Sequence, residues 1–247
     1  MSTPLLHRTV LDGCVLVGSD GHYWPDVPVP AHERFVDRAN ELRRKRLLRG
    51  VIKNGDAFDG ARISRHARIG WENLPQVHEE LAVTKLRMGE IQDAAGKAFL
   101  DWPIGNHDAR YETFTSGKVP EYERIPGMHL KDHFPAWTPC WGVVLNGTVV
   151  IKHRLRTGVH ARWTNLKDAG TTIVTSHTHR LGVTALTDYG ATKWGVETGM
   201  LGNVRGPQFR AYTEAGPVNW QMGWIELWFE GGVLQWPRVV HVAEDAT

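Results

Sequence analysis

The sequence has little of several features that mark specialised protein classes. It has two cysteines in 247 residues, Cys14 and Cys140, which lie far apart and in or beside apolar runs. This usage favours small buried hydrophobes in a reducing compartment. No apolar run approaches membrane-spanning length, and residues 1–10 lack the charged start and apolar block of a signal peptide. We therefore expect a cytoplasmic protein without a membrane partner.

Charge of either sign is not in large excess. The formal net charge is +2 and the isoelectric point is about 8.6, values too mild to indicate nucleic-acid binding by themselves. Internal repeats, heptads and low-complexity tracts are absent, as are the Gly-rich phosphate loops of Walker-type and Rossmann proteins. The length suits one large layered domain or two small ones. The unusual counts are 13 histidines and 11 tryptophans, and histidine is the commonest metal ligand.

Polar clusters follow predicted strands. Four short apolar runs predict buried strands, namely Cys14–Val17, Val51–Lys53, Phe99–Ile104 and Thr171–Thr175. Residues 142–152 predict a hairpin, because Asn146-Gly147 suits a type I′ turn. The clusters that follow these strands are, in order, Asp20 and His22; Asp56 and Asp59; Gly105, Asn106, His107 and Asp108; His153; and His177 and His179.

Taken singly, each cluster has an ordinary alternative. Asp20 and His22 point the same way in extended chain and can chelate one metal, but they also suit a polar loop. Residues 105–108 are equally typical of a turn. A lone histidine after a strand is usually a core residue, whereas His177 and His179, one residue apart, form a good chelating pair. Asp56 can offer an oxygen to each of two metals, and we expect Asp59 to orient a ligand.

Two helices are predicted between the strands. Residues 31–49 and 76–97 carry apolar residues at helical spacing, and the second is the longer amphipathic helix. The first ends in a basic cluster, residues 43–49, which either complements the helix dipole or binds phosphate. Residues 61–75 predict a loop whose arginines either meet a substrate phosphate or are solvated. Residues 111–137 predict an irregular connector.

The C-terminal part is predicted to be mostly β. On one strand, Trp220, Trp224 and Trp228 share a face opposite Ile225, Leu227 and Phe229, which predicts burial on both faces. The tryptophans are then core residues; the alternative is a platform for stacking bases.

Together, the five clusters resemble the motif set of the calcineurin-like metallophosphoesterase superfamily. The family pattern is Asp-x-His, Gly-Asp-x-x-Asp, Gly-Asn-His-Asp, a lone His and Gly-His-x-His, matched here by residues 20–22, 55–59, 105–108, 153 and 176–179. Ser176 replaces the usual Gly. Arg154 follows His153 where Gly is common, so His160 is the rival of His153. The helical insertion at about 61–98 resembles family members encoded by phages or prophages.

The resemblance implies a single domain over residues 1–247 with an α/β fold, a four-layer α/β/β/α sandwich of two mixed β-sheets flanked by helices. It also implies two divalent metal ions. The first would be held by Asp20, His22, Asp56 and His179, and the second by Asp56, Asn106, His153 and His177. The implied catalytic residues are His107, which faces the substrate as general acid, and Asp108, which holds its ring.

Two such ions can clamp a phosphoryl group and activate a water molecule, so we expect hydrolysis of phosphodiesters and also of phosphomonoesters. Mixed nitrogen and oxygen ligands favour manganese, with iron, zinc, nickel or magnesium as alternatives. The expected partner is a phosphoester, with nucleotides and nucleic acids among the candidates. One alternative is a nuclease of the repair-exonuclease type that uses the basic segments for phosphate contacts. The other is a non-catalytic metal-binding protein that has kept the fold.

Overall fold

The computed structural model describes residues 5–66, 70–214 and 216–243. Its strands are β1 (Leu5–Arg8), β2 (Gly13–Gly18), β3 (Leu48–Lys53), β4 (Phe99–Pro103), β5 (Thr138–Cys140), β6 (Gly142–Leu145), β7 (Val149–Ile151), β8 (Thr172–Thr175), β9 (Leu181–Thr187), β10 (Thr192–Thr198), β11 (Gly223–Glu230), β12 (Val233–Leu234) and β13 (Arg238–His241). Its helices are α1 (Pro30–Arg44), α2 (Val77–Ala95), α3 (Asp108–Lys118), α4 (Ala161–Ala169) and α5 (Pro207–Thr213), with short 3₁₀ turns at Ala61–Ile63, Pro120–Tyr122 and Leu130–His133.

The strands form two mixed sheets. Sheet A has the order β1-β6-β7-β8-β10-β9, and sheet B has the order β12-β11-β2-β3-β4-β5, with β13 also paired to β11. In sheet B, β2, β3, β4 and β5 run parallel, and β11 is antiparallel to β2. In sheet A, β7 and β8 are parallel, and β6 and β7 form the predicted antiparallel hairpin. Asn146 and Gly147 at its turn both have positive φ, as a type I′ turn requires.

The two sheets pack face to face with helices outside, which is the expected α/β/β/α sandwich. One apolar cluster fills the space between the sheets and joins Val15 and Ile52 of sheet B to Val143 and Val174 of sheet A. A second cluster lies between sheet B and helices α1 and α2. Helix α4 covers β8 and β10 on the outside of sheet A. Strands β2 and β3 are therefore buried on both faces, which explains their nearly continuous apolar sequences.

This arrangement brings the polar clusters to one edge of the sandwich. The parallel neighbours β2, β3 and β4 end side by side, since Val17 pairs with Ile52 and Ile52 with Asp101. In the other sheet, Ile151 of β7 pairs with Val174 of β8, so these strands also end together. Each of these five strands is followed by one of the predicted clusters. None of the described helices combines the length and apolar composition needed to span a bilayer.

Several local expectations are corrected by the structure. Helix α1 ends at Arg44 and does not reach residue 49, because Arg46 adopts a left-handed backbone and the chain turns into β3 at Leu48. The connector expected at 111–137 is helical in its first part. Helix α3 was not visible as an amphipathic pattern because, of the residues in it, only Asp108 and Thr115 are buried.

The tryptophan strand is only partly as expected. Trp224 and Trp228 pack on the helix side of β11, whereas Ile225, Leu227 and Phe229 belong to the cluster between the sheets. Burial on both faces is therefore confirmed, and Trp224 is a core residue and not a stacking platform. Trp220 lies before β11 and contacts the ring of His179, with 4.4 Å between ring centroids. Both cysteines are buried and free, as expected.

Candidate metal centre

The loops after β2, β3 and β8 hold their site residues in an unusual backbone conformation. Asp20, His22, Asp56, His177 and His179 all have φ between 40° and 71°. Residues other than glycine rarely adopt this left-handed region, and such strain persists where the surrounding structure enforces it. Here the enforcement includes main-chain hydrogen bonds between the loops, in which Asp20 N donates to Gly55 O and Gly21 N to Asp56 O. The strained backbone turns five polar side chains toward a common centre.

The first donor cluster consists of Asp20, His22 and His179. Asp20 Oδ1 lies 3.3 Å from His179 Nε2 and 3.8 Å from His22 Nε2. All three side chains are buried. These are three of the four residues assigned to the first metal.

The second donor cluster consists of Asp56, His153 and His177. His153 Nε2 lies 3.1 Å from Asp56 Oδ2 and 3.2 Å from Asn106 Oδ1. The same Asp56 oxygen is 3.9 Å from His22 Nε2, so Asp56 lies between the two clusters. All seven predicted metal ligands are thus brought together in one continuous set.

Two glycines make this close approach possible. A Cβ on Gly105 would lie 2.0 Å from Asp56 Oδ1 and 2.5 Å from the Asp56 backbone nitrogen. A Cβ on Gly55 would lie 2.2 Å from His153 Nδ1, and Gly55 also has a positive φ. Both positions therefore exclude any side chain for reasons of space next to the predicted ligands.

The residues present fit a pair of divalent cations. Asp20 Oδ1 and His22 Nε2 are buried and have no hydrogen-bond partner, although buried polar groups normally have one. Carboxylate, amide and imidazole groups are the donor types that Mn, Fe and Zn accept. A cation between these atoms would satisfy the orphaned donors and offset the buried negative charge of Asp20 and Asp56.

Burial and the neighbouring carboxylates shift the pKa values of the histidines in this pocket in opposite directions. Burial by itself lowers the pKa of His22, but the carboxylates of Asp20 and Asp59 more than reverse this and raise it to about 10. For His153, burial is likewise outweighed by Asp56, and its pKa rises to about 9. Burial dominates at His177 and lowers its pKa to about 4, which favours the neutral imidazole that can bind a metal.

Asp59 links the metal ligands to the candidate acid. Its Oδ1 accepts hydrogen bonds from His22 Nδ1 at 2.8 Å and from His107 Nδ1 at 2.7 Å. The expectation that Asp59 orients a ligand agrees with this geometry. The expectation that Asp108 holds the His107 ring is wrong, because Asp59 occupies that role.

Asp108 has a different task, which follows from its place at the start of α3. Its buried carboxylate accepts main-chain N–H groups of Asp56, Ala57, Phe58 and Gly105 at 2.8–3.0 Å, and the indole N–H of Trp102 at 3.1 Å. Burial and the neighbouring Asp56 raise its pKa, while these donors stabilise its charge. Asp108 is therefore a positioning residue that fixes the loop carrying Asp56.

The fold places His153, and not its rival His160, next to the other predicted ligands. His153 is buried among the donors, whereas His160 is exposed at the start of α4. Ser176, which replaces the usual glycine, donates to Asn54 O at 2.7 Å and lies 3.1 Å from His153 Nδ1. The serine therefore helps to fix the orientation of His153.

Sequence reasoning missed three sets of residues around the centre. Glu80 of α2 accepts the main-chain N–H of Asp59 at 2.6 Å and also that of Gly60. Its signal was a carboxylate on the otherwise apolar face of α2. Arg110 donates to Asp59 O at 2.9 Å and places Nη2 3.2 Å from His107 Nε2, one helical turn after that histidine. Phe209 and Trp220 stack edge-on around His179. No sequence signal marked Phe209, and Trp220 was assigned to a strand and not to this site.

The basic segments are distributed unevenly around the centre. The cluster at residues 43–49 precedes β3 and so lies at the opposite end of this strand from Asp56. Arg62 donates to the carbonyls of Leu74 and Pro75 and thereby closes its own loop. Arg68, also considered for substrate contact, lies outside the described residues. Arg65 and Arg154, in contrast, line a cavity of about 800 Å³ that borders Asn106 and His153.

The solved structures that are similar to this chain include two that illustrate the range. One is a protein serine/threonine phosphatase from Saccharomyces cerevisiae with similarity to human phosphatase PP5. It matches over 98% of this chain and 85% of its own, with 12% identity and a TM-score of 0.43. The other is Pseudomonas putida nuclease MPE, which matches over 78% of this chain and 76% of its own, with 12% identity and a TM-score of 0.36. No protein-family model and no curated protein matches the sequence. Likeness at this level says nothing about substrate or activity.

Proposed function

We propose that the protein is a dinuclear metal-dependent phosphoesterase of the calcineurin-like superfamily that hydrolyses phosphodiesters and also phosphomonoesters. The observation that supports this most is the pair of donor clusters that meet at Asp56, with buried donor atoms left unpartnered. A histidine outside the ligand set, His107, lies beside them with its ring 4.6 Å from that of His22. Ligands and a separate proton carrier are the two parts that such chemistry needs.

Seven side chains would hold the metals. Asp20, His22, Asp56 and His179 would bind one ion, and Asp56, Asn106, His153 and His177 the other. When bound, the pair supplies Lewis acidity that activates a water molecule and offsets charge that develops on the phosphoryl oxygens. We favour manganese for this mixed donor set, with iron, zinc, nickel or magnesium as alternatives.

Two further side chains would act on the substrate. His107 is held by Asp59 through Nδ1. Its Nε2 accepts from Arg110 Nη2 at 3.2 Å in this structure, so to act as the acid it would first take up a proton and exchange the arginine for the departing ester oxygen. Transfer by a positioned side chain typically accelerates a reaction about 10²–10⁴-fold. The Arg110 guanidinium next to this nitrogen would bind a non-bridging phosphoryl oxygen.

The proposal is tested by a screen of metals against substrates with purified protein. The substrates are an aryl phosphodiester, an aryl phosphomonoester, cyclic nucleotides and single-stranded DNA. We expect metal-dependent turnover that is lost on chelation and strongest with manganese. Protein that binds metal yet hydrolyses none of these substrates would instead be a non-catalytic metal-binding protein.

Two variants separate metal binding from proton transfer. His107→Ala is expected to retain bound metal and to lose about 10²–10⁴-fold in kcat, because the acid is absent while the ligands remain. Asp56→Ala is expected to lose both metal and activity, because it removes the carboxylate that lies between the two clusters and is assigned to both metals. Metal content by elemental analysis and kcat on an aryl phosphodiester are measured side by side. Unchanged turnover in His107→Ala would show that the acid assignment is wrong.

A further inference from the structure

The cavity beside the second donor cluster is larger than a single phosphoryl group needs. Its volume is about 800 Å³, and Gly105, Asn106 and His153 form the part nearest the candidate metal centre. From there it extends along α3 to Lys118 and reaches Trp141, between β5 and β6. A substrate that fills it must extend well beyond the reacting phosphorus.

Among the described residues that line the cavity, the side chains of formal charge are all positive. Five cationic side chains line it, Arg65, Arg110, Lys118, Lys152 and Arg154. None of the described residues in the lining carries a carboxylate. The whole chain has a net charge of only +2, so this is a local concentration of positive charge and not a reflection of composition. Such a concentration attracts a ligand with more than one negative group.

Two large aromatic side chains in the same lining are exposed to solvent. Phe114 of α3 is 42% exposed and Trp141 is 53% exposed, so both rings present surface on which another flat group can stack. Cationic side chains interleaved with exposed aromatic rings are the means by which proteins bind single-stranded nucleic acid.

We propose that this cavity is the binding groove for a single-stranded polynucleotide, which delivers one of its phosphodiesters to the metal centre. The inference rests on the proposed function for the reaction itself. Lysine and arginine contact the backbone phosphates, while unpaired bases stack on Phe114 and Trp141. A duplex fits less well, because its base faces are already stacked. A phosphopeptide fits less well, because it offers isolated phosphates and no series of flat rings.

The reaction proposed at the groove is the hydrolysis of one phosphodiester bond of the bound strand. The oxygen of a water molecule bonds to phosphorus as one P–O ester bond breaks, and the departing oxygen takes a proton from His107. The proton that the water gives up passes to solvent, from which His107 is protonated again. The products are one strand that ends in a phosphate monoester and one that ends in a hydroxyl group.

Binding is measured first, without metal, so that the result does not depend on catalysis. Fluorescein-labelled dT12 and rU12, and a dT12·dA12 duplex, are titrated with protein in EDTA and followed by anisotropy. Trp141→Ala and Phe114→Ala are expected to weaken single-strand binding by about 5- to 100-fold each, the loss typical of one stacked base. Tyr189→Ala, at a fully exposed aromatic position outside the groove, is the control and should bind as the wild type does.

The charge contribution is tested with two charge-matched double variants. Lys118→Glu with Arg154→Glu removes two groove cations, whereas Arg44→Glu with Lys97→Glu makes the same change in net charge outside the groove. The groove variant is expected to lower the dependence of log Kd on log salt by about 1.4, since each single-strand phosphate contact contributes about 0.7. The control variant should retain the wild-type slope. Thermal melts confirm that all variants are folded.

The outcomes distinguish the groove from the proposed function. If the protein turns over an aryl phosphodiester but binds no oligonucleotide, the groove proposal is wrong and the phosphoesterase proposal is retained. The same holds if the groove and control variants lose equal oligonucleotide affinity. If oligonucleotide binding depends on the groove residues but no phosphoester is hydrolysed, the groove proposal is retained and the proposed activity is wrong. Tighter binding of the duplex than of either single strand would also contradict the proposal.

Discussion

At the scale of single residues, Asp59 contacts both a predicted metal ligand and the candidate general acid. One of its carboxylate oxygens accepts hydrogen bonds from both His22 and His107, and Arg110 reaches its main-chain carbonyl. Hydrogen bonds to the second nitrogen of a metal-binding histidine fix the ring and raise its basicity. A single carboxylate thus orients a predicted ligand and the candidate acid together.

Asp59→Asn keeps the size of the side chain and removes its charge. We expect metal affinity to fall about 10- to 100-fold, because His22 loses its carboxylate partner. We also expect kcat to fall at saturating metal, because His107 loses the same partner. Isothermal titration with Mn²⁺ and steady-state kinetics on an aryl phosphodiester measure the two effects.

The control for this variant is a double-mutant cycle with His107→Ala. If Asp59 acts through His107, the loss of kcat caused by Asp59→Asn is smaller when His107 is already absent. Equal losses in both backgrounds would mean that Asp59 only supports the loop. A general loss of structure would appear as a lower melting temperature of the metal-free protein.

At the scale of elements, the turn between β4 and α3 is packed directly against the loop after β3. Gly105 faces Asp56 without room for a methyl group, His107 N donates to Asp56 Oδ1 at 2.8 Å, and Asp108 accepts the main-chain N–H of Asp56 at 2.8 Å. The first and second contacts restrain the Asp56 side chain, and the third holds its main chain. The turn therefore serves to position the residue that lies between the two donor clusters.

Gly105→Ala is expected to displace Asp56 and so to disturb both clusters at once. Overpacking of this kind typically costs about 1–3 kcal/mol in stability, and metal binding should weaken as well. Gly89→Ala is the matched control, because Gly89 lies inside α2 with nothing within 4 Å of an added Cβ. That variant should be stabilised by about 0.5–1 kcal/mol. Chemical denaturation with and without metal measures both, and equal effects of the two substitutions would contradict the assignment.

At the scale of the whole molecule, the site joins the two sheets. Sheet B supplies Asp20, His22, Asp56 and Asn106, while sheet A supplies His153, His177 and His179. Ions held between them would therefore cross-link the two halves of the sandwich. Binding to the folded state alone raises its stability in proportion to the logarithm of free ligand concentration.

Manganese at about 100 times its Kd should stabilise the wild type by about 2.7 kcal/mol. For a chain of this length that corresponds to a rise in melting temperature of roughly 5–10 °C. His153→Ala should lose most of the rise, whereas His160→Ala should keep it, because His160 is exposed and lies outside the donor set. Differential scanning calorimetry with EDTA or Mn²⁺ makes the comparison. If His153→Ala shows the full rise in melting temperature with Mn²⁺, His160 would again be a candidate for the metal ligand.

Local sequence predicted the strands that lead to the site but not every helix. Strands β2, β3, β4 and β8 follow from short apolar runs, and the hairpin follows from Asn146-Gly147, because these signals depend only on nearby residues. Helix α3 gave no such signal, since few of its residues face the core. Trp220 was placed on a strand by its spacing from Trp224, but the strand begins only at Gly223. Its contact with His179 depends on packing that spacing alone does not encode.

The sequence by itself determined which side chains are available for metal chemistry. It determined their order along the chain and their place after strands, because both depend on local pattern and composition. Only the tertiary structure decided which partner each one has. Parallel pairing and sheet packing brought residues 20, 56, 107, 153 and 179 to one edge of the sandwich. The same packing placed His107 in hydrogen-bond contact with Asp59, and it placed Asp108 in contact with the loop that carries Asp56. Partners so distant in sequence are selected by the way the sheets close on each other, which no local pattern records.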